Sequence, residues 1–131
     1  MTLRDLVEKM CAAERWKNSV TTGGWELTVP MAKDRHQAVQ AAAFKDGASD
    51  MVRYTSIVGN RSALDGKRST SALEINARMP HGCLALDGEN LVITATRPLN
   101  TTTAETSAQA IRYVAEMADR YERLIYGTDA H

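Results

Sequence analysis

The sequence predicts an α+β protein: one domain over residues 1–131, with an antiparallel five-stranded sheet carrying helices on one face, in the order α-β-β-β-α-β-β-α. Three observations lead there. From Ala104 to Ile125 apolar residues recur every three or four positions, which lines them along one face of a helix. Just before it, CLALDGENLVITATRP holds two alternating runs around the turn formers Asp87, Gly88, Glu89 and Asn90, the pattern of a hairpin. Earlier, three further runs are joined by connections too short for a parallel crossover, so they form an antiparallel meander.

Taken in order, Thr2 caps a first helix from Leu3 to about Lys17, in which Leu3, Leu6, Val7, Met10 and Ala13 make an apolar stripe that Trp16 extends. Thr21-Thr22-Gly23-Gly24 breaks that pattern. In WELTVPM, Trp25, Leu27, Val29 and Met31 alternate with Glu26, Thr28 and Pro30; a proline cannot donate to a ladder, so this strand is predicted at a sheet edge. A second strand runs from His36 to about Phe44, although its alanines also suit a helix. The third spans Met51 to Val58, with Val52, Tyr54 and Val58 on one face and Met51 and Ile57 on the other. Gly59 to Lys67 reads as a loop, and Ser69 to Met79 as a short helix stopped by Pro80. Thr102 with Glu105 is a capping-box pair that starts the closing helix near Thr103, and Gly127 suits its end.

Composition excludes several function classes. Sixteen basic and sixteen acidic residues cancel, which removes the general electrostatic case for a nucleic-acid backbone or an anionic membrane as partner. No apolar run approaches a membrane span and MTLRDLVEKM is too charged for a signal peptide, so a cytoplasmic protein is expected. The two cysteines, Cys11 and Cys83, are no disulfide framework, and nothing in their context lowers a thiol pKa. His81-Gly82-Cys83, even with Cys11 or His36 brought close, lacks the tight ligand pairs of a zinc site. Gly59 and Gly66-Lys67 have six residues between the glycines where a phosphate loop needs four, and Arg68 stands in the place of the magnesium-binding hydroxyl. The reading is of a non-enzymatic protein without cofactor or metal.

Three stretches together resemble a known fold. Val29-Pro30 with Arg35, Gln37 and Val39 is similar to a first turn and second strand; Met51-Val52-Arg53 with Ser56-Ile57-Val58-Gly59 to a third; and Ile75-Asn76-Ala77, Pro80, Gly82, Leu84-Ala85-Leu86, Leu91-Val92-Ile93 and Pro98-Leu99 to a second half. The fold is that of the class I type III secretion chaperones and of the YbjN-like family of sensory transduction regulators. The resemblance implies a homodimer that acts by binding, around which an extended segment of a partner polypeptide, a secreted effector in the chaperones, is held. Those chaperones are typically acidic, whereas this chain is neutral.

Two groups of residues are therefore candidates for binding. Trp25, Leu27, Val29 and Met31 are either the inward face of a strand or, with Trp16, an exposed groove for a partner segment at a sheet edge. Leu73, Ile75 and Met79 are either core or, as the resemblance implies, shared with a second subunit. A small-molecule-sensing regulator that binds a ligand on the concave sheet face is the alternative function.

Overall fold

The computed structural model describes residues 2–126, which run α1 (Leu3–Glu14), β1 (Lys17–Thr21), β2 (Gly24–Pro30), β3 (His36–Asp46), β4 (Ser49–Asn60), α2 (Gly66–Asn76), β5 (Cys83–Asp87), β6 (Asn90–Pro98) and α3 (Ala104–Tyr126). The strands make one antiparallel sheet in the order β1-β2-β3-β4-β6-β5. The α+β class, the three helices and the hairpin stand as expected, but the sheet has six strands, not five.

The additional strand is β1, and it removes β2 from the edge. Its sequence, KNSVT, holds a single apolar residue, so no alternation announces it. Arg15 makes it possible: a left-handed φ of 60° ends α1 three residues earlier than its apolar stripe suggests and turns Trp16 into the core. Pro30 is tolerated inside the sheet because the β1 ladder stops at Thr28, which leaves the end of β2 locally unpaired on that side. Gly24 opens β2 so close to β3 that a Cβ there would collide with the Ala41 carbonyl.

The two later helices also start where side chains cap them. Asp65 accepts from the Arg68 amide at 2.8 Å, so α2 begins at Gly66 and ends at Asn76, before Met79. For α3 the capping pair is Thr103 with Thr106, whose hydroxyls each accept the other's amide at 3.1 and 3.0 Å. Thr102 instead bonds Ser107 at 2.9 Å. The expected end of this helix at Gly127 lies outside the described residues.

One cluster forms the core. The buried face of α3, with Ala108, Ile111, Val114, Ala115 and Ala118, joins Val39, Val52, Tyr54, Val58, Ile93 and Ala95 of the sheet, while Leu6, Val7, Met10 and Cys11 of α1 join Leu27 and Val29. Inside it, the fully buried Tyr54 hydroxyl donates to Ser107 Oγ at 2.8 Å. Burial raises the Tyr54 pKa above its ordinary value of 10.0, opposed by the Ser107 bond and by Arg97. The native state therefore favours the neutral phenol, and this contribution to stability is full below pH 10.0 and is lost as pH rises through the raised value.

Two predictions test this packing. Ser107→Ala strands a buried hydroxyl and destabilises by about 1–3 kcal/mol in urea unfolding, whereas Tyr54→Phe, which leaves Ser107 with Thr102, costs less. In the β2–β3 turn, Lys33 and Asp34 hold φ of 60° and 59°, a pair of left-handed residues that Asn-Gly occupies at far lower strain. Lys33→Asn with Asp34→Gly raises the unfolding midpoint, by about 1 kcal/mol in stability.

Candidate partner-binding surfaces

The ladder registers sort every strand residue to one of two faces. Asn18, Val20, Trp25, Leu27, Val29, Val39, Ala41, Val52, Tyr54 and Ile93 share the helix side. On the opposite side lie Thr28, Ala38, Gln40, Ala42, Arg53, Thr55, Ile57, Val92 and Thr94. This side is shallowly hollowed by two adjoining depressions of about 430 and 440 Å³. Its floor includes Val92, which is buried yet stands apart from the main core.

The two sheet edges differ. At β5, the Asn76 side chain donates to the Leu84 carbonyl at 2.9 Å and accepts from the Leu84 amide at 2.6 Å. Both outward backbone groups of Leu84 are thereby occupied, as if by a short strand, and this edge is blunted. At β1 the first four residues are exposed along the whole strand. The open edge is β1.

Next to that edge, Val20 pairs with Trp25 across the ladder, and both point to the helix side. Val20 is 65% exposed and Trp25 partly so, with the Arg4 guanidinium 5.4 Å from the indole centroid. This is an apolar shelf at the rim of the helix layer. Of the residues expected to line a groove, Trp16, Leu27 and Val29 are buried and belong to the core wall, because the helices cover the middle of β2. Trp25 and Met31 remain partly exposed at its two ends. Met31 sits with Pro30 and Arg35 against Asp119 and Arg123 of α3, around a cleft of about 600 Å³. There Asp119 accepts from both guanidiniums, Arg35 at 3.0 Å and Arg123 at 2.8 Å. Val20 was not legible as a site residue: one valine among polar residues carries no periodic signal, and only its cross-strand position beside Trp25 gives it a role.

The second group lies on α2, which buries Ala72 alone, and on the turn after it, where Met79 sits. Leu73 is 72% exposed, and Ile75 and Met79 pack only partly against the core. Ile75 and Leu124 line a further cleft of about 370 Å³ between α2 and the end of α3. Such a helix presents uncovered apolar surface.

Chemistry is thin elsewhere. Cys11 is buried, and burial pushes its thiol pKa up against the lowering effect of an Asn18 hydrogen bond, so the thiolate is disfavoured. Cys83 is a free, exposed thiol. Among the described residues no group of three or more His, Cys, Asp and Glu is placed to hold a metal ion. No helix among them is long and apolar enough to cross a membrane.

The fold itself is shared with solved structures. The Yersinia pestis type III secretion chaperone SycH, in complex with a stable fragment of YscM2, superposes with a TM-score of 0.62 at 16% identity over 89% of this chain and 97% of that one. The ExsC-ExsE complex gives 0.67 at 13% identity over 98% and 95%. The HopA1-SchA chaperone-effector complex gives 0.61 at 11% identity over 92% and 92%. The chain has the type III secretion chaperone fold. No protein-family model and no curated protein matches the sequence.

The placement of the two tryptophans has a direct readout. In a Trp16→Phe variant the remaining emission, from Trp25, is strongly quenched by acrylamide, whereas in Trp25→Phe the remaining emission, from buried Trp16, is shielded. Equal quenching in the two variants would contradict the shelf.

Proposed function

We propose that this protein is a homodimeric polypeptide-binding module that holds an extended partner segment and acts by binding rather than by chemistry. The observation that carries the reading is the open β1 edge with the Val20–Trp25 shelf beside it. An added strand would gain main-chain hydrogen bonds from β1, and its alternate side chains would rest on Val20 and Trp25, which is how strand addition combines affinity with selectivity. Met31, at the far end of β2, extends the contact. The fold supports this, since the three structures above are complexes in which a protein of this fold meets a partner polypeptide. The dimer contact assigned here is α2 and the turn that follows it, through Leu73, Ile75 and Met79. An eleven-residue helix that buries one alanine is marginal alone, and a second copy would cover what the fold leaves bare. The cytoplasm is the compartment this reading implies, and a secreted effector is one form the partner would take.

Two variants separate the roles. Leu73→Asp converts the dimer to monomer in analytical ultracentrifugation with far-UV circular dichroism preserved, because the side chain is 72% exposed in the single chain. Trp25→Asp weakens capture of a co-purifying polypeptide from the source lysate by roughly tenfold or more, the loss expected of one apolar anchor, and keeps the dimer. A collapsed spectrum for Trp25→Asp would make that residue core and sink the shelf.

A second reading is favoured by the hollow on the open sheet face: a ligand-sensing regulatory domain of the YbjN-like kind. A thermal-shift screen against metabolites tests it, and a flat response across the panel counts against it.

A further inference from the structure

We infer that the strand added to β1 carries an apolar residue followed three positions later by a carboxylate, the first resting on Val20 and the second facing Lys17. The inference rests on the strand-addition reading above and assigns the chemistry of the segment that this edge accepts.

The register sets the spacing. Val20 points to the helix side and Lys17, three residues earlier in β1, to the opposite side. Every ladder in this sheet is antiparallel, and an incoming strand that continues the pattern runs against β1. The residue it sets opposite Val20 then comes three positions before the one opposite Lys17, on the other face of the strand.

The apolar requirement is local. Only Asn18 and Val20 of β1 share the helix side, and the Asn18 side chain is already hydrogen-bonded to the Cys11 thiol. Val20, with Trp25 behind it in the ladder, is what remains for an incoming side chain to cover.

The carboxylate requirement comes from charge. Lys17 is exposed and, among the described residues, makes no ion pair. Two carboxylates stand close to it in chain or ladder, and both are turned elsewhere. Glu14 accepts from Arg112 of α3, and Glu26, diagonal to Lys17 across the β1–β2 ladder, accepts from Gln40 of β3 at 3.2 Å. Arg15, exposed just ahead of β1, likewise makes no ion pair among the described residues, while Arg4 stands over Trp25 beside Val20. A basic strand would meet like charge at both ends of β1. Opposite charges facing each other across a ladder stabilise the pairing and like charges weaken it. A lysine on an edge also discourages indiscriminate pairing, so a carboxylate opposite Lys17 is what admits one strand and not another.

The test selects a random seven-residue peptide library, displayed on phage, on the whole chain. Selected peptides are synthesised with the acid and with lysine in its place, then titrated on the 15N-labelled chain while the Val20 amide signal is followed. The wild type is expected to enrich apolar-x-x-acid sequences, and the lysine versions to bind roughly three- to tenfold more weakly, the span of an exposed cross-strand charge pair between attraction and repulsion. In Lys17→Glu the order of the two peptides should invert; the position is exposed, so this variant retains the wild-type circular dichroism. Peptides that shift Val20 equally with acid or lysine, or that keep their order in Lys17→Glu, would overturn the carboxylate assignment and leave strand addition standing. Failure of every selected peptide to move the Val20 signal would overturn both.

Discussion

A sheet of six strands needs one of its faces removed from water, and the chain does this mainly with a single helix. At 23 residues α3 is about 35 Å long, enough to cross β3, β4 and β6, while α1 packs against α3 and joins the same core. Its contact face is rich in alanine, with Ala108, Ala115 and Ala118 all buried, so the helix lies close to the sheet. The Tyr54–Ser107 hydrogen bond fixes its register at one end, and at the other the Tyr126 hydroxyl donates to the Asn60 carbonyl at 2.8 Å, with the ring over Gly59 where a Cβ would clash. Everything the molecule leaves uncovered follows from that economy: the opposite sheet face, the outer side of α2 and the β1 edge.

What the sequence could reveal tracks this division closely. Residues that face the helices on long strands alternate strictly, so Val52, Tyr54 and Val58, or Leu91, Ile93 and Ala95, were readable as inward rows. The capping of α1 by Thr2 was readable because a cap is local; the structure adds the reciprocal bond from the Thr2 amide to Asp5. At α3 the expected pair, Thr102 with Glu105, gives way to Thr103 with Thr106, because the Thr102 hydroxyl bonds Ser107, whose own hydroxyl is fixed by the buried Tyr54. β1 was invisible for the opposite reason: an exposed strand has no core to write into its sequence. Missing it also displaced β2 to the edge and made a buried row look available, although Leu27 and Val29 lie in the core.

The edges are managed unequally, and the inequality has physical content. An exposed strand end invites pairing with any other chain, and proteins commonly cover or interrupt it. Here Asn76 interrupts β5 at Leu84 with two hydrogen bonds, yet among the described residues no comparable device stands at β1, where Lys17, Asn18, Ser19 and Val20 are all exposed. Polar side chains keep β1 soluble without occupying its backbone. An edge left open in this way, with an apolar pair at one end, suits a specific added strand better than indiscriminate association.

The blunting of β5 and the bareness of α2 are one arrangement. Asn76 is the last residue of α2, so the hydrogen bonds that close the β5 edge also tether the helix, which otherwise depends on its Asp65 cap and on Ala72. Its first turns carry Gly66, Ser69, Thr70 and Ser71, residues of modest or poor helix propensity, so the sequence does little to stabilise it alone. His81, in the segment that leads to β5, stacks edge-on against Tyr113 of α3 at 5.3 Å and helps to hold the connection in place. A partner covering Leu73 would therefore stabilise α2 and, through Asn76, keep β5 closed, directing strand addition to β1 on the far side of the sheet.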